Sequence, residues 1–274
     1  MKKYAVLLSY RGSHYCGWQK QKGSAADGAP SIQKTIELAL QQMTGEELTV
    51  VGSGRTDSGV HAAGQIGHFV LRNKVWDPAI LQKGLNSILP MSIRALEVKE
   101  VEIDFHAQHS AQKKQYSYYF QQGPCAIPHL EPFSWWIHKR LDLEAMQKGL
   151  NHLIGEHDFK AFQASGSKPG PTVRQILEAE VSVHPVQFPG NVPMFPGGSE
   201  IQFIRVRLIG TGFLKQMVRS IVGTLLQVGE LRRDPEVFAE LLKTLDRNEV
   251  GPTAPARALW LERVWYPEKY GLKN

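Results

Sequence analysis

From Val51 to Gln65 the chain reads V-G-S-G-R-T-D-S-G-V-H-A-A-G-Q, a stretch that combines reactive side chains with a backbone able to present them. Asp57 is its only carboxylate, with Arg55 two residues upstream and His61 four residues downstream. Gly52, Gly54 and Gly59 allow conformations that other residues avoid, and Ser53, Thr56 and Ser58 bring short hydroxyls that hold turns. If the stretch is extended, Arg55 and Asp57 share a face and can pair, which keeps the acid ionised. A fixed, ionised carboxylate serves as a nucleophile or a base. Asp57-Ser58-Gly59 is also the Asp-Ser/Thr-Gly triplet of aspartic proteases, but that chemistry needs two such aspartates facing each other. Here the triplet occurs once, in a chain with at least four helical segments. Two plainer readings stand beside the chemical one. An Asp in a glycine-rich loop commonly bonds its own backbone, and a lone His beside such a loop is commonly structural.

The elements that must hold this loop are legible on either side of it. Residues 4 to 10 are an apolar run fit for a buried strand, followed by a loop with Tyr15 and Trp18 and a small-residue segment, Gly23 to Pro30. Ser31 has the character of an N-cap, and Ile32, Ile36, Ala39, Leu40 and Met43 recur with helical period until Gly45. Leu48 to Val51 is expected to lead as a strand into the Asp57 loop, and Gln65 to Leu71 to leave it as another. Asp77-Pro78 opens a second helix that Pro90 ends, and Ile93 to Val101 is a fourth strand, giving β-α-β-β-α-β. The second half is expected to repeat that order. Strands are expected at Gln115 to Phe120, Arg174 to Val183, Ile201 to Leu208 and Leu259 to Tyr266. Helices are expected after Asp142, from Phe213 to Val228, and after Asp234-Pro235, with a Pro/Gly-rich loop from His184 to Ser199. The economical fold is α+β, two ferredoxin-like halves, residues 1–103 and 104–274.

Bulk properties narrow the class without choosing a function. A chain of 274 residues with 42% hydrophobic content folds, with room for two modest domains. Lys and Arg number 32 against 26 Asp and Glu, and the pI near 9.2 is a mild basic bias that suits a polyanionic partner. Basic pairs recur at Lys20 with Lys22, Lys113 with Lys114, Lys139 with Arg140, Arg205 with Arg207, and Arg232 with Arg233. Cys16 and Cys125 have no metal-ligand spacing, so a reducing cytoplasm is expected, with no disulfide framework and no metal site. The M-K-K-Y-A-V-L-L-S-Y start is broken by Arg11 and Gly12 before a signal segment is complete, and no stretch is long enough to span a membrane.

Longer motifs sharpen this. Gly54 to Gln65 matches every fixed position of G-R-T-D-x-G-V-H-x-x-G-Q, and further matches span most of the chain. They are Tyr15, Gly17, Trp18 and Gln19; Asp104-Phe105-His106-Ala107; Lys114-x-Tyr116-x-Tyr118; Gly155-Glu156-x-Asp158-Phe159; and Thr172-Val173-Arg174-x-Ile176. The run Gly212-Phe213-Leu214-x-x-Met217-Val218-Arg219-x-Ile221-Val222-Gly223, then Ala254-Pro255-Ala256-Arg257 and Tyr266-Pro267, complete the set. Together they resemble the tRNA pseudouridine synthase A family, which acts on the anticodon stem-loop. The resemblance implies a pseudouridine synthase fold, its two halves side by side, with a central, mostly antiparallel sheet and a basic cleft. It also implies cofactor-free isomerisation of uridine at tRNA positions 38 to 40, and a homodimer in which one tRNA crosses both subunits. In the terms of that family, Asp57 is the catalytic aspartate, Arg55 supports a flipped-out nucleotide, Tyr116 stacks on the base and is a candidate for the final proton abstraction, and Arg219 pairs with the aspartate.

Some of these roles meet independent physics. A charge flanked by Met217, Val218, Ile221 and Val222 is costly to bury unpaired, so Arg219 calls for a carboxylate. Tyr116 lies beside Tyr118 and Tyr119, where an aromatic is ordinarily core, and Leu214 is either a wall beside the base or ordinary packing. A uridine in a stem must be flipped out at a cost of a few kcal/mol, which phosphate contacts from Lys20, Lys22, Lys113, Lys114 and Arg174 would offset. A non-catalytic RNA-binding protein is the alternative, because RRM domains share the β-α-β-β-α-β order, yet no strand carries their aromatic RNP1 pattern. An inactive synthase acting as an RNA chaperone is a second. Three departures from the family pattern, Arg11, Gln108 and Ala258, leave the catalytic set untouched, and Arg11 and Gln108 bear on how RNA is gripped.

Overall fold

The computed structural model describes residues 1–19, 28–184 and 202–272. Lys20 and Lys22, most of the 23–30 segment and nearly all of the 184–199 loop lie outside the described residues. The chain forms two compact units, Met1–Lys114 with Trp260–Asn274, and Gln115–Leu259. The sequence pattern puts the division at 103/104 and keeps the last strand with the second half. Contacts instead carry the first unit on to Lys114 and return the last strand to it.

In the first unit β1 (Lys2–Tyr10) lies between β3 (His61–Leu71) and β4 (Ile93–Val101), antiparallel to both. The two-residue β2 (Val51–Gly52) pairs antiparallel with β3, and β10 (Leu259–Trp265) joins the far side of β3 in parallel, Trp260 opposite His61. Helices α1 (Ile32–Thr44) and α2 (Pro78–Ile88) bury Ile32, Ile36, Leu40, Leu81 and Leu85. Their caps match the sequence: Ser31 accepts from the amide of Lys34, Asp77 accepts from those of Ala79 and Ile80, and Gly45 closes α1 at φ 74°. The β-α-β-β-α-β order therefore holds, with β2 shorter and β3 longer than expected.

The second unit carries β5 (Lys113–Gln122), β6 (Trp135–Ile137), β7 (Gly155–Asp158), β8 (Val173–His184) and β9 (Gln202–Gly210), with β9 between β5 and β8 and β7 outside β8. β7, β8 and β9 run antiparallel in turn, while the short β6 pairs in parallel with β5. Helices α3 (Leu143–Asn151), α4 (Met217–Gly229) and α5 (Val237–Thr244) complete it. α4 is buried at nearly every position, as a helix with apolar residues on all sides must be, and Arg219 is its one charged residue. Both units are mixed α+β with mostly antiparallel pairing. Among the described residues no helix is long and apolar enough to cross a membrane.

Candidate active site

The Asp57 loop, residues 53–60, connects β2 to β3 and is anchored at both ends. At its start the Ser53 amide donates to the Ile66 carbonyl (2.7 Å), the Ser53 hydroxyl bonds Gln65 Oε1, and Gln65 Nε2 donates to the Gly54 carbonyl (2.8 Å). Lys114 Nζ donates to the Ser53 carbonyl (2.6 Å), so this lysine, expected on RNA, is turned toward the loop's anchor. In the middle, the Tyr10 hydroxyl bonds Thr56 Oγ1 (2.8 Å) and the Trp18 amide donates to the Thr56 carbonyl (3.0 Å). Burial pushes the Tyr10 hydroxyl's pKa up, with its bonds to Thr56 and Gln65 acting the other way, so it remains a neutral prop. At the end, Ser58 Oγ donates to the Tyr15 carbonyl (3.1 Å) and the Val60 amide to that of Asp57 (3.1 Å).

The segment from Tyr15 to Gln19 is therefore a buttress. Gly17 has φ 104° and sits so close that a Cβ would lie 2.7 Å from the Thr56 carbonyl oxygen, so only glycine fits. His61 is fully buried, stacked on Trp260 at 4.5 Å, and its Nδ1 accepts from the Gly12 amide (3.2 Å). It is a structural residue of the loop's frame. Within this frame Asp57 is half-buried, and Arg55 and Ser58 are exposed. The carboxylate is thus presented by a backbone tied down on both sides, at Thr56 before it and at Ser58 and Val60 after it.

In the second unit, Tyr116 on β5 is buried and meets Phe213 edge-on at 5.0 Å. Phe213 and the buried Leu214 belong to the turn before α4, where Gln216 takes φ 60°, a left-handed conformation uncommon for a side-chain-bearing residue. That kink explains why α4 starts at Met217 and not at Phe213. Strain of this kind persists where surrounding structure enforces it, often near functional sites. Arg219 follows in the helix's first turn, half-buried, with Nε donating to the Ala254 carbonyl (2.7 Å), and the Ala254 amide returning a bond to the Arg219 carbonyl (3.1 Å). Tyr118 donates to the Pro255 carbonyl (3.0 Å); burial raises its pKa, and the charges of Arg219 and Arg257 pull the other way. Arg174 turns Nη1 onto the carbonyls of Pro171 (3.0 Å) and Val173 (2.6 Å), beside Gly212.

Each unit thus gathers its own share of the sequence's candidates: Arg55, Asp57 and Lys114 in the first, Tyr116, Arg174, Leu214 and Arg219 in the second. Frame residues such as Tyr10, Gly12, Thr56 and Gln65 carried no reactive signal in the sequence, and their roles emerge only from the contacts. A model of the tRNA pseudouridine synthase family matches residues 7–110 and 150–267. This chain belongs to that family. It is 41% identical over 265 residues to a tRNA pseudouridine synthase A of Moorella thermoacetica, covering 95% of this chain and 98% of the relative. It is 38% identical over 271 residues to the tRNA pseudouridine synthase A of Bdellovibrio bacteriovorus, covering 97% of this chain and 95% of that one. With family membership shown, the non-catalytic alternative is not favoured.

Proposed function

We propose that the protein isomerises uridine to pseudouridine in tRNA, in the anticodon arm at positions 38 to 40, with Asp57 as its catalytic carboxylate. The reaction breaks the bond from base N1 to ribose C1′, turns the uracil over and rejoins it through C5, with no change of oxidation state. It needs a carboxylate that attacks sugar or base, a platform for the detached uracil, and a group that takes the proton from C5. Asp57 supplies the first, and the family resemblance assigns the platform and the proton acceptor to Tyr116, an apolar wall to Leu214 and the carboxylate's charge partner to Arg219. Arg55 holds the flipped nucleotide, and Lys20, Lys22 and Arg174 supply positive charge for the RNA phosphates, while Lys114, bonded to the Ser53 carbonyl, serves the loop that carries Asp57. The family resemblance further suggests a homodimer with one tRNA crossing both subunits, acting in the cytoplasm. A one-chain mass in sedimentation with bound tRNA is the contrary result for the dimer.

The observation that carries the reading is the Asp57 loop: a half-buried carboxylate on a backbone fixed at Ser53, Thr56, Ser58 and Val60. Asp57→Asn keeps shape and removes charge. It is expected to lower pseudouridine formation by roughly a thousandfold or more, while tRNA binding stays close to wild type. Turnover near wild type in that variant overturns the assignment. Mapping pseudouridines in tRNA from cells lacking the protein checks the position, with loss expected only in the anticodon arm.

A further inference from the structure

Three segments of the second unit, one inside a motif stretch and two directly beside one, converge on a residue that no motif contains. Arg247 opens the turn Arg247–Glu249. Its Nη1 donates to Ser220 Oγ on α4 (2.8 Å) and to the Ala161 carbonyl (3.4 Å), and its Nη2 donates to Thr253 Oγ1 (3.3 Å). Ser220 is the residue after Arg219, Thr253 the residue before Ala254, and Ala161 lies in the turn Lys160–Phe162 that follows Asp158-Phe159. Ser220 and Ala161 are fully buried. Burial lowers the Arg247 pKa from its ordinary value, yet an arginine stays charged at neutral pH. A half-buried guanidinium that bonds hydroxyls and a carbonyl joins three segments at once, which a lysine's point charge cannot reproduce.

The segment it fastens, residues 251–255, lies tightly along α4. A Cβ on Gly223 would sit 1.6 Å from the Pro252 carbonyl oxygen, and the Gly251 amide donates to Thr224 Oγ1 (3.0 Å). The Ala254 peptide then meets Arg219 twice, amide to carbonyl (3.1 Å) and carbonyl to Nε (2.7 Å). A long side chain on a helix explores many rotamers, and the Nε bond selects one of them.

We propose that Arg247 is a positioning residue for the reaction: it pins the 251–255 strap to α4, so that the Ala254 carbonyl fixes the plane and direction of the Arg219 guanidinium. This rests on the reading that Arg219 serves pseudouridine formation. The test uses the full chain with Arg247→Met, Arg247→Lys and Thr253→Val. It measures kcat and KM on a tRNA transcript together with the arginine Nε–H signals in proton–nitrogen NMR, the Arg219 signal being assigned through Arg219→Lys. Misplacing a group by about 1 Å can cost about 100-fold, so Arg247→Met is expected to lower kcat on that order, with KM within about twofold. The Arg219 Nε–H signal is expected to shift and lose exchange protection, with Arg247→Lys intermediate and Thr253→Val moving the same signal. A folded Arg247→Met with the Arg219 signal and kcat unchanged overturns the proposal, as does a loss of kcat that only tracks the folded fraction with the signal in place. If Arg247→Met does not fold, Thr253→Val decides on the same two readouts. A wild-type protein that makes no pseudouridine overturns the proposed function instead, and the Arg219 signal still reports whether the strap positions it.

Discussion

At the scale of single residues, the backbone on either side of Asp57 is fixed by one neighbouring segment: the Thr56 carbonyl accepts from the Trp18 amide and Ser58 Oγ donates to the Tyr15 carbonyl. Asp57 was legible because glycines and short hydroxyls surround a lone carboxylate. Gly17, forty residues away, was visible only as part of a motif, and its reason is a distance: no side chain fits against the Thr56 carbonyl. For His61 the plainer of the two readings fits: it is a frame residue, buried under Trp260. The histidine whose titration is shifted furthest is His68. It is buried on β3, accepting from the Ala107 amide (3.1 Å), with its ring 4.9 Å from that of His106, itself 4.2 Å from His109. Burial, then the nearby His106 and Lys3 charges, depress its pKa to about 4. An unfolded histidine titrates near ~6.5, so below that pH the unfolded chain takes up the proton first. Stability from His68 is thus complete above about pH 6.5 and lost as pH falls toward 4, by at most ~1.4 kcal/mol per pH unit. Denaturant midpoints between pH 7 and 4.5 are expected to fall in the wild type, and less steeply in His68→Leu. That variant is weaker at neutral pH because the Ala107 amide loses its acceptor.

At the scale of elements, helices were read well because their ends are chemically marked. Ser31, Asp77 and Asp142 each accept from amides of the first turn they were expected to cap. Short strands were not, because β2, β6 and β7 run two to four residues and show no alternation to detect. Arg247 was missed for a related reason, since its partners are a serine, a threonine and a carbonyl scattered over ninety residues of chain. The first turn of α1 shows how an element couples to the site. Besides the Ser31 cap, the Ile32 amide donates to the Gly17 carbonyl (3.1 Å) and the Gln33 amide to that of Trp18 (3.0 Å). The segment that props the Asp57 loop therefore also satisfies a helix terminus. Ser31→Ala is expected to cost about 1 kcal/mol of stability in denaturant titration, with turnover per folded molecule unchanged, because those two carbonyls still hold the turn.

At the scale of the whole molecule, the first unit is built from both ends of the chain. Trp260–Asn274 joins Met1–Lys114, which no residue pattern marks, because each strand reads alike wherever it pairs. The attachment is dense. A Cβ on Gly64 would lie 2.3 Å from the Glu262 carbonyl oxygen, the Tyr266 hydroxyl donates to the Ala107 carbonyl (2.6 Å), and Phe105 packs on the rings of Tyr266 and Tyr270 at 5.2 and 5.0 Å. Leu261, Val264, Tyr266 and Tyr270 are all buried. At ~2 kcal/mol each they contribute about 8 kcal/mol, comparable with the ~5–15 kcal/mol by which a domain is stable at all. A chain ending at Leu259 is therefore expected to leave the first unit unfolded, and with it the Asp57 loop, whose exit strand would lose Trp260 from the face of His61. Limited proteolysis is the measurement: cleavage should become rapid within residues 1–114 of the shortened chain, where the full chain resists. Protection of that region without the last strand would show that the two ends of the chain fold independently.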